Sequence, residues 1–326
     1  MKRILSLIMI IVTLLTLLTG CSILPDELKT CKVKFYVDGE LYDTKTVVVG
    51  QSVDAPKNPS KNNQIFLAWS TGGVIPYEYD FTSKVIMNME LHAYFTIDAV
   101  GMANMITKET IKSIVTIENK CYNTTVGGIV NESDMGISQG SGVVVDISGG
   151  YCYVLTNNHV VKKAQGYSKQ SFTVEDPWGE TYEAQIYKCP GKTQYAMSEE
   201  YDLALIYFRY DQNQKYALKE IAFSSDPDEG DFVAAIGTPA GLQNTVTYGS
   251  VLNYERIKAD EDSSLQKVTF DVILHDAPID HGSSGGALID TDGKLVGINF
   301  AGYGDGTYGC SIPISKINEF MNKYVY

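Results

Sequence analysis

From residue 113 to residue 299 the chain repeats one signal: short apolar runs rich in Val, Ile and Phe, broken by glycine-containing turns. The runs fall at 113–118, 142–146, 151–156, 203–208, 232–236, 267–272, 287–290 and 294–299. Each is too short for a helix, and β-branched residues suit a pleated surface. Many short strands separated by turns predict a sandwich or barrel, so the fold class expected is all-β. Asp292-Gly293, set between two such runs, is a strong hairpin signal.

Composition narrows the functional classes. The chain has 326 residues, 44% hydrophobic and 20% charged, enough to bury a core in more than one domain. A net charge of −13 argues against a nucleic-acid partner and fits a solvated acidic surface. After Cys21, five cysteines remain (Cys31, Cys121, Cys152, Cys189, Cys310), none in CxxC spacing. Neither a metal nor a cofactor is expected, and buried free thiols are the default reading.

The first twenty residues read as an export signal: Lys2 and Arg3, an apolar run from 4 to 18, then Leu18-Thr19-Gly20-Cys21. That last tetrad resembles the bacterial lipobox, after which the signal is cut and the cysteine carries lipid. An ordinary cleaved signal and an uncleaved anchor helix are the rival readings. The lipobox reading places the protein at the outer face of the bacterial cytoplasmic membrane, tethered through Cys21 and residues 21–31.

Residues 32–97 read as a separate small β-rich domain. Val33-Lys34-Phe35-Tyr36-Val37 alternates like a strand, Asp38-Gly39 is a turn, and Val47-Val48-Val49-Gly50 follows. Then come Pro56 and Pro59, Phe66-Leu67-Ala68-Trp69, Tyr79-Asp80-Phe81 and Leu91-His92-Ala93-Tyr94-Phe95. This series resembles the Listeria–Bacteroides (internalin B) repeat of bacterial surface proteins, which implies a β-grasp-like fold and a possible cell-surface partner. Residues 98–111 read as a short helix or linker, and 112–326 as the second domain.

Three stretches of the second domain carry chemistry. They are Thr156-Asn157-Asn158-His159-Val160, Tyr201-Asp202-Leu203-Ala204-Leu205, and Gly282-Ser283-Ser284-Gly285-Gly286. A serine hydroxyl needs a base to take its proton during attack, and imidazole serves near neutral pH. A carboxylate holds that imidazole in the right tautomer, and glycines let backbone N–H groups approach an oxyanion. Each stretch alone is ambiguous, but the order His, Asp, Ser with these neighbours is that of a chymotrypsin-like triad. The α/β-hydrolase order places serine first, which disfavours an esterase of that type.

Together with Ile236-Gly237-Thr238-Pro239 and Val296-Gly297-Ile298-Asn299, these motifs resemble the HtrA/DegP family of trypsin-like proteases from about residue 108 onward. The resemblance implies two six-stranded β-barrels, with His159, Asp202 and Ser284 as catalytic triad and a protein or peptide substrate. It also implies an oxyanion hole from the N–H groups of Gly282 and Ser284. The specificity pocket would include Pro278, Ile279 and Asp280; with no carboxylate at Pro278, cleavage after small apolar residues is expected. Ser283 stands where digestive relatives carry an aspartate, so activation by an inserted new N-terminus is not expected. Asp280-His281 replaces the family's Asn-Pro, and no stretch after residue 320 is long enough for a PDZ domain. The rival from another class is an exported binding or holdase module built on an inactive protease scaffold.

Overall fold

In a computed structural model of the chain, the structure describes residues 29–72, 77–124, 130–213, 216–238, 241–242, 244–257, 268–303 and 307–326. The expected signal and Cys21 lie outside the described residues. The chain divides into two compact units, Met1–Thr96 and Ile97–Tyr326.

The first unit is one four-stranded sheet. Its strands are β1 (Thr30–Val37), β2 (Glu40–Val48), β3 (Gln64–Ser70) and β4 (Met89–Ile97), in the order β2-β1-β4-β3. β1 and β2 form a hairpin through Asp38 and Gly39, both left-handed at φ 50° and 78°. Asp-Gly is the pair that tolerates this turn, whose twist matches the flanking strands. β4 then runs parallel to β1. Alternation in β1 buries Cys31, Val33 and Phe35 and leaves Lys32 outside. Phe35 meets Trp69 edge-on at 5.0 Å, and Val53, Val85 and Leu91 complete the core. Trp69 and Phe35 are thus core residues and not a ligand platform.

The second unit opens with helix α1 (Ala99–Lys108), capped by the Asp98 carboxylate, which accepts from Gly101 N at 2.9 Å. Met102 and Ile106, one turn apart, are buried in the same core as Ile317 and Phe320. The stretch read as a helix or linker is therefore a packed helix of this unit.

The first barrel contains β5 (Ile114–Thr124), β6 (Val130–Ser148), β7 (Tyr151–Thr156), helix α2 (Asn158–Val161), β8 (Lys169–Glu175), β9 (Thr181–Ile186), β10 (Met197–Ser198) and β11 (Leu203–Arg209). Its order is β10-β11-β7-β6-β5-β8-β9, and pairing of β9 with β11 closes six strands into a ring, with β10 appended. The second contains β12 (Phe232–Gly237), β13 (Thr245–Glu255), β14 (Val272–His275), β15 (Ala287–Ile289), β16 (Leu295–Tyr303) and β17 (Tyr308–Pro313), followed by helix α3 (Ile314–Tyr324). It closes in the order β12-β13-β14-β17-β16-β15. The all-β, double-barrel expectation matches this architecture.

Two local expectations differ. Of the run at 267–272, Lys267 lies outside the described residues and 268–271 are not strand: Val268 and Phe270 are buried, and pairing starts at Val272. β8, β9, β13 and β17 were absent from the apolar runs because polar residues and glycines interrupt their patterns. Cys31, Cys121, Cys152 and Cys310 are buried free thiols, as expected, and Cys189 is a half-buried one. Burial pushes the Cys152 and Cys310 thiols up, that of Cys310 to about 12, so neither is a reactive thiolate.

Candidate active site

β7 ends at Thr156, and a single helical turn, α2, follows directly. That sharp change of direction presents His159 at 31% side-chain exposure, while Asn158, Val160 and Val161 point into the barrel. Asp202 stands just ahead of β11, fully buried, with a left-handed backbone at φ 50°. Such a conformation is uncommon outside glycine but is better tolerated by aspartate than by most residues.

Neighbouring groups hold Asp202 there. Its carbonyl accepts from Asn158 N at 3.1 Å and from Asn157 Nδ2 at 2.9 Å. Its carboxylate takes the His159 backbone N–H at 3.0 Å through Oδ1 and lies 2.7 Å from His159 Nδ1 through Oδ2. A carboxylate can only accept, so Nδ1 carries a proton, and in the neutral imidazole Nε2 is the nitrogen with the lone pair.

Ser284 lies on the turn leading into β15. The turn is held by bonds within itself and to the neighbouring strand β16. Ser283 N donates to Asp280 O at 2.9 Å, Gly285 N to Asn299 O at 2.8 Å, and Gly286 N to Ser283 O at 3.0 Å. Among the described residues, the N–H groups of Gly282 and Ser284 carry no such bond. They are the two backbone donors of the turn left to serve a bound oxygen. Ser283 N–H is already occupied and adds nothing there.

A strand from the other barrel fixes this turn. Ser141, in β6, donates its N–H to Ser284 O at 2.7 Å and its hydroxyl to Gly282 O at 2.8 Å. The same hydroxyl accepts from Thr238 N at 2.9 Å, and Thr156 Oγ1 donates to Ser141 O at 2.7 Å. Gly285 is left-handed at φ 83°, and a Cβ there would overlap the Ser141 carbonyl and the Thr156 hydroxyl. Only glycine fits this crossing. Next to Ser141, Gly140 lies against both Val160 and the Ser284 carbonyl, so β6 joins the histidine segment to the serine turn.

The Ser284 hydroxyl donates to Phe300 O at 3.3 Å, a long bond. Thr156, Thr238 and Asn299 stand in the motifs read from the sequence without a role of their own, and Ser141 stands in none of them. The Gly140-Ser141-Gly142 triplet, with glycines on both sides of one buried hydroxyl, was the available signal.

The three residues expected at a specificity pocket separate. Ile279 is buried with Val233, Ala235, Ala277 and Leu288 in the core of the second barrel. Pro278 and Asp280 are exposed. Pro278 O accepts from Thr247 Oγ1 at 2.8 Å, and the Asp280 carboxylate accepts from His281 N at 2.6 Å.

Residues 140–298 match the trypsin-like peptidase domain family, and residues 32–94 match the Listeria-Bacteroides repeat domain family. Serine protease HTRA1B of Danio rerio is 35% identical over 188 residues, 58% of this chain and 35% of that protein. The mitochondrial serine protease HTRA2 of Bos taurus is 33% identical over 187 residues, 57% of this chain and 36% of that protein. The chain spans little more than a third of the length of these relatives. Among solved structures, the Rv3671c protease from M. tuberculosis in its active form is similar in fold, with a TM-score of 0.52 at 22% identity. That likeness covers 70% of this chain and 87% of that one. Among the described residues, no helix is long and apolar enough to cross a membrane. Over residues 140–298 the chain is thus similar to the trypsin-like peptidase domain family and to the HtrA serine proteases, and over residues 32–94 to the Listeria-Bacteroides repeat domain family.

Proposed function

We propose that the chain is a serine endopeptidase with His159, Asp202 and Ser284 as its triad. One observation supports the reading: β6 packs through Gly140 against both the segment of the Asp202-paired His159 and the turn whose Gly282 and Ser284 N–H groups, among the described residues, carry no bond. In this mechanism the Ser284 hydroxyl attacks the scissile carbonyl carbon while His159 Nε2 takes its proton. The carbonyl oxygen becomes an oxyanion, which accepts from Gly282 and Ser284 N–H. Asp202 stabilises the imidazolium and stays ionised. His159 then returns the proton to the leaving amine as the C–N bond breaks, giving an acyl-enzyme. Water, deprotonated by the same imidazole, releases the acid product and restores the serine.

Cleavage after small apolar residues is supported by Pro278, which offers no carboxylate to a basic side chain, and by Asp280, whose carboxylate is engaged by its own turn. Export, with a lipid on Cys21, is supported by the lipobox-like ending of the apolar leader. A surface-repeat domain fits an exported protein, and residues 32–97 would recruit a cell-surface partner.

The test is hydrolysis of unfolded casein by the purified protein and by Ser284→Ala. The parent is expected to cut, and the variant to fall to the residual ~10³–10⁴-fold over water that binding and oxyanion contacts leave. Equal rates would remove Ser284 from the mechanism. No cleavage by either protein would favour the holdase alternative.

A further inference from the structure

A polar thread crosses the interior of the second barrel, and no step of hydrolysis uses it. His275 Nε2, on β14, lies 3.0 Å from Ser311 Oγ on β17. Ser311 Oγ donates in turn to Asn299 Oδ1, on β16, at 3.0 Å. A hydroxyl has one proton to give, so Ser311 accepts from His275, and the imidazole is the neutral Nε2–H form. All three side chains are fully buried.

The thread ends on the serine turn. Asn299 Nδ2 donates to Ala287 O at 3.1 Å and to Ile236 O at 3.3 Å, tying β16 to β15 and β12. Its backbone N donates to Gly286 O at 2.9 Å, and its carbonyl accepts from Gly285 N at 2.8 Å. The next residue, Phe300, supplies the carbonyl that holds the Ser284 hydroxyl. Apolar residues would fill a barrel interior without the cost of burying polar groups. What hydrogen bonds add is direction: they fix where Asn299 stands, and the limb of the turn beyond Ser284 hangs from Asn299.

We propose that His275 is a positioning residue for Ser284, acting through Ser311 and Asn299 to hold the Gly285-Gly286 limb of the nucleophile turn. The inference rests on the reading of Ser284 as nucleophile.

The experiment measures two quantities on the folded, full-length protein: the rate of fluorophosphonate labelling at Ser284, and kcat and KM on a short peptide. It compares the parent with His275→Leu, which keeps apolar bulk and removes the donor, and with His275→Gln, whose amide N–H can replace Nε2–H. Losing one such bond is expected to slow labelling and lower kcat about tenfold, with KM within about twofold. His275→Gln is expected to recover most of that loss. A filler residue would give none of this pattern. Parent-like labelling by His275→Leu overturns the inference, as does a loss confined to KM or a glutamine no better than leucine. Should His275→Leu not fold, Ser311→Ala cuts the same thread, and a parent-like rate there overturns it equally. A parent that takes up no probe at Ser284 overturns the nucleophile assignment and the inference together. A labelled parent matched by its variants overturns the inference alone.

Discussion

Asp202 combines full burial, a left-handed backbone and a carboxylate that meets both the main chain and the ring of His159. Its backbone conformation is one that asparagine also accepts, so Asp202→Asn separates chemistry from folding. The neutral amide can present an N–H to Nδ1, which selects the wrong imidazole tautomer. The expected outcome is an unchanged melting temperature with kcat lower by about 10⁴. Peptide kinetics beside a thermal melt check it, and a loss explained by unfolding would count against the assigned role. The candidate triad of His159, Asp202 and Ser284 could be proposed from the sequence because each lies in a short run with distinctive neighbours. The support around them could not. Ser141 and Asn299 sit within strands, and a residue's reach across a barrel depends on register. That register shifts between Asn299 and Ala301, a local irregularity no run of residue types discloses. Ile279, which the resemblance puts beside the specificity pocket, is buried among the apolar residues of the second barrel.

At the scale of elements, α1 is the clearest addition to what the sequence implied. Its period was readable, but whether a short amphipathic helix packs or links depends on an apolar surface elsewhere in the chain. Here that surface includes Ile317 and Phe320 of α3. Met102 is fully buried, so Met102→Ala is expected to cost the second unit about 2–5 kcal/mol by losing transfer energy and leaving a cavity. Urea denaturation with an unchanged m-value is the check. A cost under about 0.5 kcal/mol, the range of ordinary surface substitutions, would mean that α1 is a linker after all. The hairpins were readable from Asp38-Gly39 and Asp292-Gly293, where turn chemistry is local. The closure of each barrel followed from the family resemblance and not from the apolar runs, since β9, which closes the first barrel on β11, is not among those runs.

For the whole molecule, the buried thread of the second barrel links stability to pH. Burial pushes the His275 imidazole from its ordinary 6.5 down to about 4, against smaller upward pulls from the Ala277 backbone and the Asp276 charge. The strands paired with β14 set Val251 and Gly309 opposite His275, and neither carries a charge. In the unfolded chain His275 takes up a proton as pH falls through about 6.5, whereas the folded protein does so only near 4. Its effect on stability is therefore absent above 6.5 and grows on acidification, reaching a loss of about 3 kcal/mol near pH 4. Unfolding free energies of the parent and His275→Gln, compared between about pH 7 and about pH 4.5, should show the steeper acid loss in the parent. Parallel slopes would mean that His275 titrates normally. Above all these sits the claim that this fold performs acyl transfer at one serine. Treatment of the intact protein with a fluorophosphonate, followed by mass analysis of its peptides, tests that claim most directly. One adduct is expected, on the peptide containing Ser284, absent from both Ser284→Ala and heat-unfolded protein. An unlabelled native protein, or an adduct elsewhere that survives Ser284→Ala, would contradict it.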